Sequence, residues 1–406
     1  MKKFIFYTIQ LFLAACFMAA CSGDEPSPAP EPEPTPNPEQ PNPTPTPEQP
    51  GRKRTILVYA VASNNLVSDF YDDSEEMLDG MKQIDTEEYS LLVYRVFRSG
   101  DVALLEATST DDGMDFTIIK EYDNQTLSTD PRRLTEVIED AIELRPAQSY
   151  GLFFWAHGSS WEPEYSQHTP LPLNQAQPPM LYAYGGDQTT GVSDWMDIDE
   201  MASAIPDNTF DFIWFDNCFM SSIEVIYQLR NKANFMVAYP TEIYSYGAPY
   251  ESIIPLVMKP EADLTEAAKE TFNFYNFQRL ACTVAVMDLS KIEAVADACE
   301  KANSNFTLVK TLDLQKYSRF SYGPYFDFVQ LTKRIGANSP DFDETELDRA
   351  MADFVIYKAC SAKNFSGKEI DPENYSGISA HAYKVYTTHD EYYRSLDWYK
   401  RIMNGQ

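Results

Sequence analysis

Short, unbroken apolar runs recur along the chain from residue 55: TILVYAVA (55–62), YSLLVYRVF (89–97), YGLFFWAHG (150–158), FDFIWFDNC (210–218), ANFMVAYP (233–240) and CTVAVMDL (282–289). Half-solvated strands alternate apolar and polar residues. Continuous runs of this length are the pattern of parallel strands buried on both faces. Between them lie stretches of helical character. NNLVSDFYDDSEEMLDGMKQI, from Asn64, sets Leu66, Phe70 and Met77 among polar and acidic residues, and TDPRRLTEVIEDAIEL opens with Thr129 as N-cap and Pro131 in its first turn. Residues 102–122 predict a hairpin around an Asp-Asp-Gly turn. Beyond residue 290 the pattern is mainly helical, in SKIEAVADACEKANSNF, PYFDFVQLTKRIG and DETELDRAMADFVIYKAC, with a late strand-like YSGISAHAY (375–383). No internal repeat is present. The reading is an α/β fold: a mostly parallel sheet with helices on both faces and a mainly helical C-terminal part. In such sheets functional groups gather at the carboxyl ends of the strands, and two of those ends carry His157 and Cys218.

The N-terminus is different in kind. Lys2 and Lys3, an apolar run, and Ala19 and Ala20 before Cys21 read as an export signal over residues 1–20. The stretch FMAAC resembles a bacterial lipobox, which makes Cys21 the expected lipid anchor; ordinary secretion with cleavage after Ala20 is the alternative. Residues 22–50 hold twelve prolines in twenty-nine positions, a composition that builds no core and favours extended polyproline II. At about 3.1 Å per residue, such a linker spans up to roughly 90 Å. The SGDE after Cys21 resembles the export tag of lipoproteins displayed on the outer face of diderm bacteria, so an outer-membrane or cell-surface location is expected, with a periplasmic one as alternative. Residues 52–406 are then one domain.

The formal charge of the whole chain is −30. Removal of Lys2 and Lys3 with the signal leaves 30 basic against 62 acidic side chains, about −32. That balance disfavours nucleic acid and suits a partner carrying positive charge. Of six cysteines, Cys16 leaves with the signal and Cys21 carries lipid, so Cys218, Cys282, Cys299 and Cys360 remain. Their spacing is neither a zinc pattern nor a disulfide framework.

A cysteine nucleophile needs a base, donors for a developing oxyanion, and a field that favours thiolate. Ser221 or Ser222 can cap the helix SIEVIYQLRNK, which puts Cys218 just before a helix N-terminus. His157 is followed by Gly158, whose backbone N–H is free of a side chain's bulk, so Cys218 and Gly158 together could form an oxyanion hole. Against this stands the bland reading, a cysteine packed at a strand end.

The segments FWAHGSSW and FDNCFMSSIE resemble the two catalytic segments of the clostripain family of cysteine peptidases, relatives of caspases, gingipains and legumains. There an apolar strand ends in His-Gly followed by Trp, and a later one in Asp-x-Cys, here Asp216 and Cys218, with Met220 and Glu224 beyond. ILVYAVASNNL, YAYGGDQTTGVSDWMDIDEMASAI and AYPTEIYSYGAPYE extend the likeness to roughly residues 54–385. The resemblance implies a caspase-like fold, a Cys218–His157 dyad with no obligatory third residue, and cleavage of peptides after Arg or Lys. It places Asp216 in the pocket for the basic side chain, on the same strand face as Cys218. A buttress for the strand end is the other role for Asp216. Glu242 is a second candidate pocket acid, although its segment departs from the family's commoner Ala-Ser-Glu.

Some members become active by self-cleavage between His and Cys, yet no Lys or Arg occurs from Pro146 to Leu229. Self-processing at a basic residue in that interval is therefore impossible. The proline-rich insert 161–184 follows His157 as the natural cover of a cleft, with His168 a solvated loop residue. His381 and His389 carry no metal spacing. YDDSEE (71–76) and STDDGMD (109–115) could bind calcium, which some relatives require, but neither has a full ligand ladder; both read as solvated acidic faces and no metal ligand is assigned. The expectation is an exported cysteine endopeptidase. The same dyad with a non-basic preference, and a non-catalytic surface binding lipoprotein, are the alternatives.

Overall fold

The structure is a computed structural model that describes residues 51–163, 184–306, 308–317, 325–387 and 389–403. The expected signal, Cys21, the proline-rich linker and His168 with most of its insert lie outside the described residues. In chain order the elements are β1 (Arg54–Val61), α1 (Val67–Met81), β2 (Tyr89–Val96), β3 (Val102–Thr110), β4 (Gly113–Glu121), α2 (Pro131–Leu144) and β5 (Tyr150–Trp155). Next come β6 (His157–Gly158), β7 (Tyr184–Asp187), β8 (Asp194–Met196), α3 (Ile198–Ala204), β9 (Phe210–Asp216), α4 (Ile223–Gln228) and β10 (Ala233–Ala238). The last part is α5 (Tyr250–Val257), α6 (Leu264–Phe277), β11 (Thr283–Asp288), α7 (Ile292–Asn303), β12 (Tyr325–Asp327), α8 (Phe328–Gly336), α9 (Glu344–Phe354), β13 (Val355–Cys360), β14 (Ser379–His381), α10 (Asp390–Ser395) and α11 (Asp397–Ile402).

Among the described residues nine strands form one sheet in the order β13-β11-β10-β9-β5-β1-β2-β3-β4. The five central strands, β10 through β2, run parallel, and two antiparallel strands extend each edge. Period-2 geometry sorts the apolar residues of β1 onto two cores. Leu57, Tyr59 and Val61 join one with α2, α3, α4 and α7, while Ile56, Val58 and Ala60 join the other with α1, α5 and α6. Both faces are thus covered, which is why the central strands read as unbroken apolar runs.

Two readings are corrected. DETELDRAMADFVIYKAC is not one helix, because α9 ends at Phe354 and VIYKAC becomes the edge strand β13, antiparallel to β11. The N-cap of α2 is Asp130, whose carboxylate accepts the Arg132 N–H; Pro131 holds the first helical position, and the Thr129 hydroxyl bonds Asp194 instead. Among the described residues no helix is long and apolar enough to cross a membrane.

Candidate active site

Strands β5 and β9 are neighbours, and their register pairs Trp155 with Asp216. His157 and Cys218 each lie two residues beyond that pair, so the two strand ends bring an imidazole and a thiol to one edge of the sheet. Glycine makes the approach possible. A Cβ on residue 158 would stand 2.8 Å from Asn217 Cβ and 2.9 Å from the Cys218 carbonyl oxygen, so the His-Gly end packs directly on the Asn217–Cys218 backbone. Asn217 fastens the contact by donating from Nδ2 to the Ala156 carbonyl at 2.5 Å.

Beyond Cys218 the chain turns through Phe219 at φ 63° and gives its N–H to the Thr241 carbonyl. Ser222 is the cap, accepting the Val225 N–H at 3.4 Å and a 2.6 Å hydrogen bond from Ser160. The helix it starts, α4, has six residues, and Cys218 lies in a turn four residues ahead of the cap. The expected help from a helix dipole is therefore not built into this site, since that field fades beyond the terminal turn.

His157 and Cys218 line one cleft of roughly 370 Å³, with Asn65, Asp216, Glu242 and Gly247. Tyr244 and Phe365, with ring centroids 4.6 Å apart, give it an aromatic wall. Cys218 is half-buried and its Sγ lies 3.7 Å from the Ile243 carbonyl oxygen. Half-buried His157 has Nε2 2.9 Å from Asn65 Oδ1. Burial lowers its pKa below the ordinary 6.5, and the Asp69 charge partly offsets this.

Asp216 is 6% exposed. Its Oδ2 accepts from the Ala248 N–H at 2.9 Å and the Tyr250 hydroxyl at 2.8 Å, while buried Oδ1 has no hydrogen-bond partner. Asp73 of α1 approaches from behind, accepting the Trp155 indole N–H at 2.6 Å. Gly247, at φ 60°, separates the two acids: a Cβ there would be 2.7 Å from Asp73 Oδ2 and 2.8 Å from Asp216 Oδ2. Burial first, then mutual repulsion, raises the Asp73 pKa; burial raises that of Asp216. Glu76, which accepts the Tyr250 N–H, is raised by burial as well. Asp73 thus departs from the solvated face expected for YDDSEE. Buried Glu242 reaches the same cleft from beyond β10. No Lys or Arg lines this cleft among the described residues.

The remaining singled-out residues support the frame. Trp161 packs against His381 and Tyr393, each with centroids 4.9 Å away. Fully buried Glu224 accepts the His381 N–H at 2.9 Å. Burial holds His381 down to about 4, and neither it nor His389 lines the cleft. Burial pushes the Cys282 thiol up, Cys299 up to about 12 and Cys360 up to about 11, which leaves them poor nucleophiles. Among the described residues no group of three or more His, Cys, Asp or Glu is arranged to hold a metal ion.

Sequence reasoning assigned no role to Asn65, Gly247, Tyr244 or Phe365, and read Asp73 only as one acid of the YDDSEE run. Asn65 follows the carboxyl end of β1, next to β5 in the sheet, and that placement was its available signal. Asp73 had none, being one acid in an acidic run.

The clostripain family profile matches residues 58–403. Among solved structures, an inactive zymogen C11 protease from Parabacteroides distasonis is 26% identical, with a TM-score of 0.73 over 87% of this chain and 99% of that one. A secreted C11 cysteine protease from Bacteroides thetaiotaomicron, bound to an irreversible peptide inhibitor, is also 26% identical, with a TM-score of 0.71 over 86% and 99% of the two chains. No curated protein sequence matches. With its caspase-like sheet and its match over most of its length, this chain belongs to the clostripain family and is a cysteine endopeptidase.

Proposed function

We propose that Cys218 is the nucleophile, His157 its base, and a Lys or Arg side chain before the scissile bond the group that fills the cleft. The observation that carries this reading is the cleft itself. It joins a thiol and an imidazole to the carboxylates of Asp216 and Glu242, with no cationic side chain among its described lining residues. In the reaction His157 takes the Cys218 proton, the sulfur attacks the carbonyl carbon, and the developing oxyanion is met by the Cys218 and Gly158 backbone N–H groups. The imidazolium protonates the leaving amine, and water then releases the acyl group.

Asp216 supplies the counter-charge. Its unpartnered Oδ1 is a buried acceptor, and such an acceptor favours a cationic ligand. The two donors already on Oδ2 favour a second reading, in which Asp216 only ties β9 to the Ala248–Tyr250 turn and the preference is non-basic. A panel of fluorogenic peptides differing at the residue before the scissile bond separates the two. Selective turnover of the Lys and Arg members supports the first, and equal turnover across the panel overturns it.

The SGDE-tagged, proline-rich N-terminus supports export and lipid anchoring through Cys21 at the cell surface. Radiolabelled palmitate incorporation that is lost in Cys21→Ala tests this. Calcium is proposed as no more than an accessory, and unchanged turnover in chelator is the expected result.

A further inference from the structure

The loop after β1 carries two consecutive asparagines that do different work. Asn64 is buried; its Nδ2 donates to the Val61 carbonyl at 3.1 Å and the Gly186 carbonyl at 3.2 Å, and its Oδ1 accepts the Leu66 N–H at 2.9 Å. Ser63 beside it donates to Asp187 at 2.7 Å and accepts the Gln188 N–H at 3.0 Å. These bonds pin the loop to β7, and β7 is the strand that pairs Gly185 with His157. The loop and the histidine thus share one support. From it the exposed Asn65 reaches the cleft, with Oδ1 2.9 Å from His157 Nε2.

A neutral imidazole carries one N–H. Facing an amide oxygen, which only accepts, Nε2 must be the protonated nitrogen, and the lone pair is left on Nδ1. The opposite tautomer would set two lone pairs against each other at hydrogen-bonding distance. In Asn65's orientation the base is therefore already prepared, and its ring plane is fixed from a rigid loop.

We propose that Asn65 is the positioning residue of this site, holding His157 in the Nδ1-acceptor tautomer so that the chemistry runs on a Cys-His-Asn triad rather than on a dyad. The inference rests on the Cys218–His157 reading above. The S–H proton moves to Nδ1 as the sulfur–carbon bond forms; the same proton leaves with the amine as the carbon–nitrogen bond breaks. Asn65 exchanges no proton and holds Nε2–H throughout. The other titratable groups around the ring are Asp69 of α1, Cys218 beyond β9, and Asp216 and Glu242 in the cleft.

The test uses Asn65→Ala and Asn65→Asp, assayed for steady-state turnover of a Lys or Arg peptide, for the pH profile of kcat/KM, and for the rate of Cys218 alkylation against pH. Asn65→Ala is expected to lower kcat about three- to tenfold, the worth of one neutral hydrogen bond, with KM within about twofold. Asn65→Asp is expected to move the acid limb of both profiles up by about one pH unit, because a carboxylate on Nε2–H stabilises imidazolium. A residue that only braced the loop would not move that limb. An Asn65→Ala kcat within twofold of the native value, or an Asn65→Asp limb in the native position, overturns the proposal. His157→Ala separates the layers. Turnover lost in His157→Ala but untouched in both Asn65 variants refutes the role of Asn65 alone, whereas turnover retained in His157→Ala refutes the base assignment beneath it.

Discussion

Replacing Asp216 by Asn removes one charge and keeps the shape, and the structure says that activity and stability should move in opposite directions. Asp216 is 94% buried by its 6% exposure, and Oδ1 is left without a donor. Removing one partner of a desolvated ion pair costs about 3–5 kcal/mol. At 1.4 kcal/mol per tenfold that is between about a hundredfold and a few thousandfold in kcat/KM. Glu242 still places a carboxylate in the cleft, so the loss on a Lys or Arg peptide should sit near the lower figure. A peptide with a neutral residue there should change less than about threefold, since Cys218 and His157 are untouched.

Stability should run the other way. Burial raises the Asp216 pKa, so the folded state holds this proton more tightly than the unfolded chain does. Its stabilising contribution is present below the unfolded value near 3.9 and is lost as pH rises through the higher folded value. At neutral pH and above, Asn at 216 relieves a cost on the order of 3 kcal/mol, which in a domain of this size raises Tm by about 4 °C. Paired assays of the purified variant decide the matter: kcat/KM on basic and neutral peptides, and thermal unfolding at pH 8. Equal losses on both peptides, or a fall in Tm, would refute the idea that Asp216 is a specificity charge held at the expense of stability.

Gly158→Ala should abolish most turnover on every substrate, since its Cβ would meet Asn217 and the Cys218 carbonyl below 3 Å; overpacking of about 1–3 kcal/mol should show as a lower Tm, and native-like kcat would contradict the packing argument. The acid limb of the native kcat/KM profile should have its midpoint below 6.5, because burial lowers the His157 pKa and the neutral base survives to lower pH. A midpoint at 7 or above would show that another group governs the limb. Prolonged incubation of residues 52–406 should leave the interval from Pro146 to Leu229 uncut, as it contains no Lys or Arg; self-cleavage found there by intact mass would refute the basic preference.

The strands that carry the site were legible because β1, β5, β9 and β10 are buried on both faces along most of their length and keep their polar residues near the strand ends. The directions of β11 and β13 were not legible. An apolar run records burial but not polarity, and VIYKAC continues the apolar spacing of α9 without a stop signal. His157 and Cys218 could be singled out since both end adjacent parallel strands. The acids behind them could not, because Asp73 turns inward only by meeting Trp155, eighty-two residues away. Asn65 is similar: its bond to His157 spans ninety-two residues and depends on a loop held by Ser63, Asn64 and Asp187. The expected dipole at Cys218 failed for a local reason, the turn at Phe219 that delays α4.

The central claim is that one thiol of four does the chemistry in a pocket for a basic side chain. Residues 52–406 should be incubated with a peptidyl acyloxymethyl ketone ending in Lys or Arg, and with its neutral counterpart, before tryptic mass spectrometry. The account predicts a single adduct on Cys218 from the basic probe, little from the neutral one, and none on Cys282, Cys299 or Cys360. An adduct on another cysteine, or equal labelling by both probes, would contradict it.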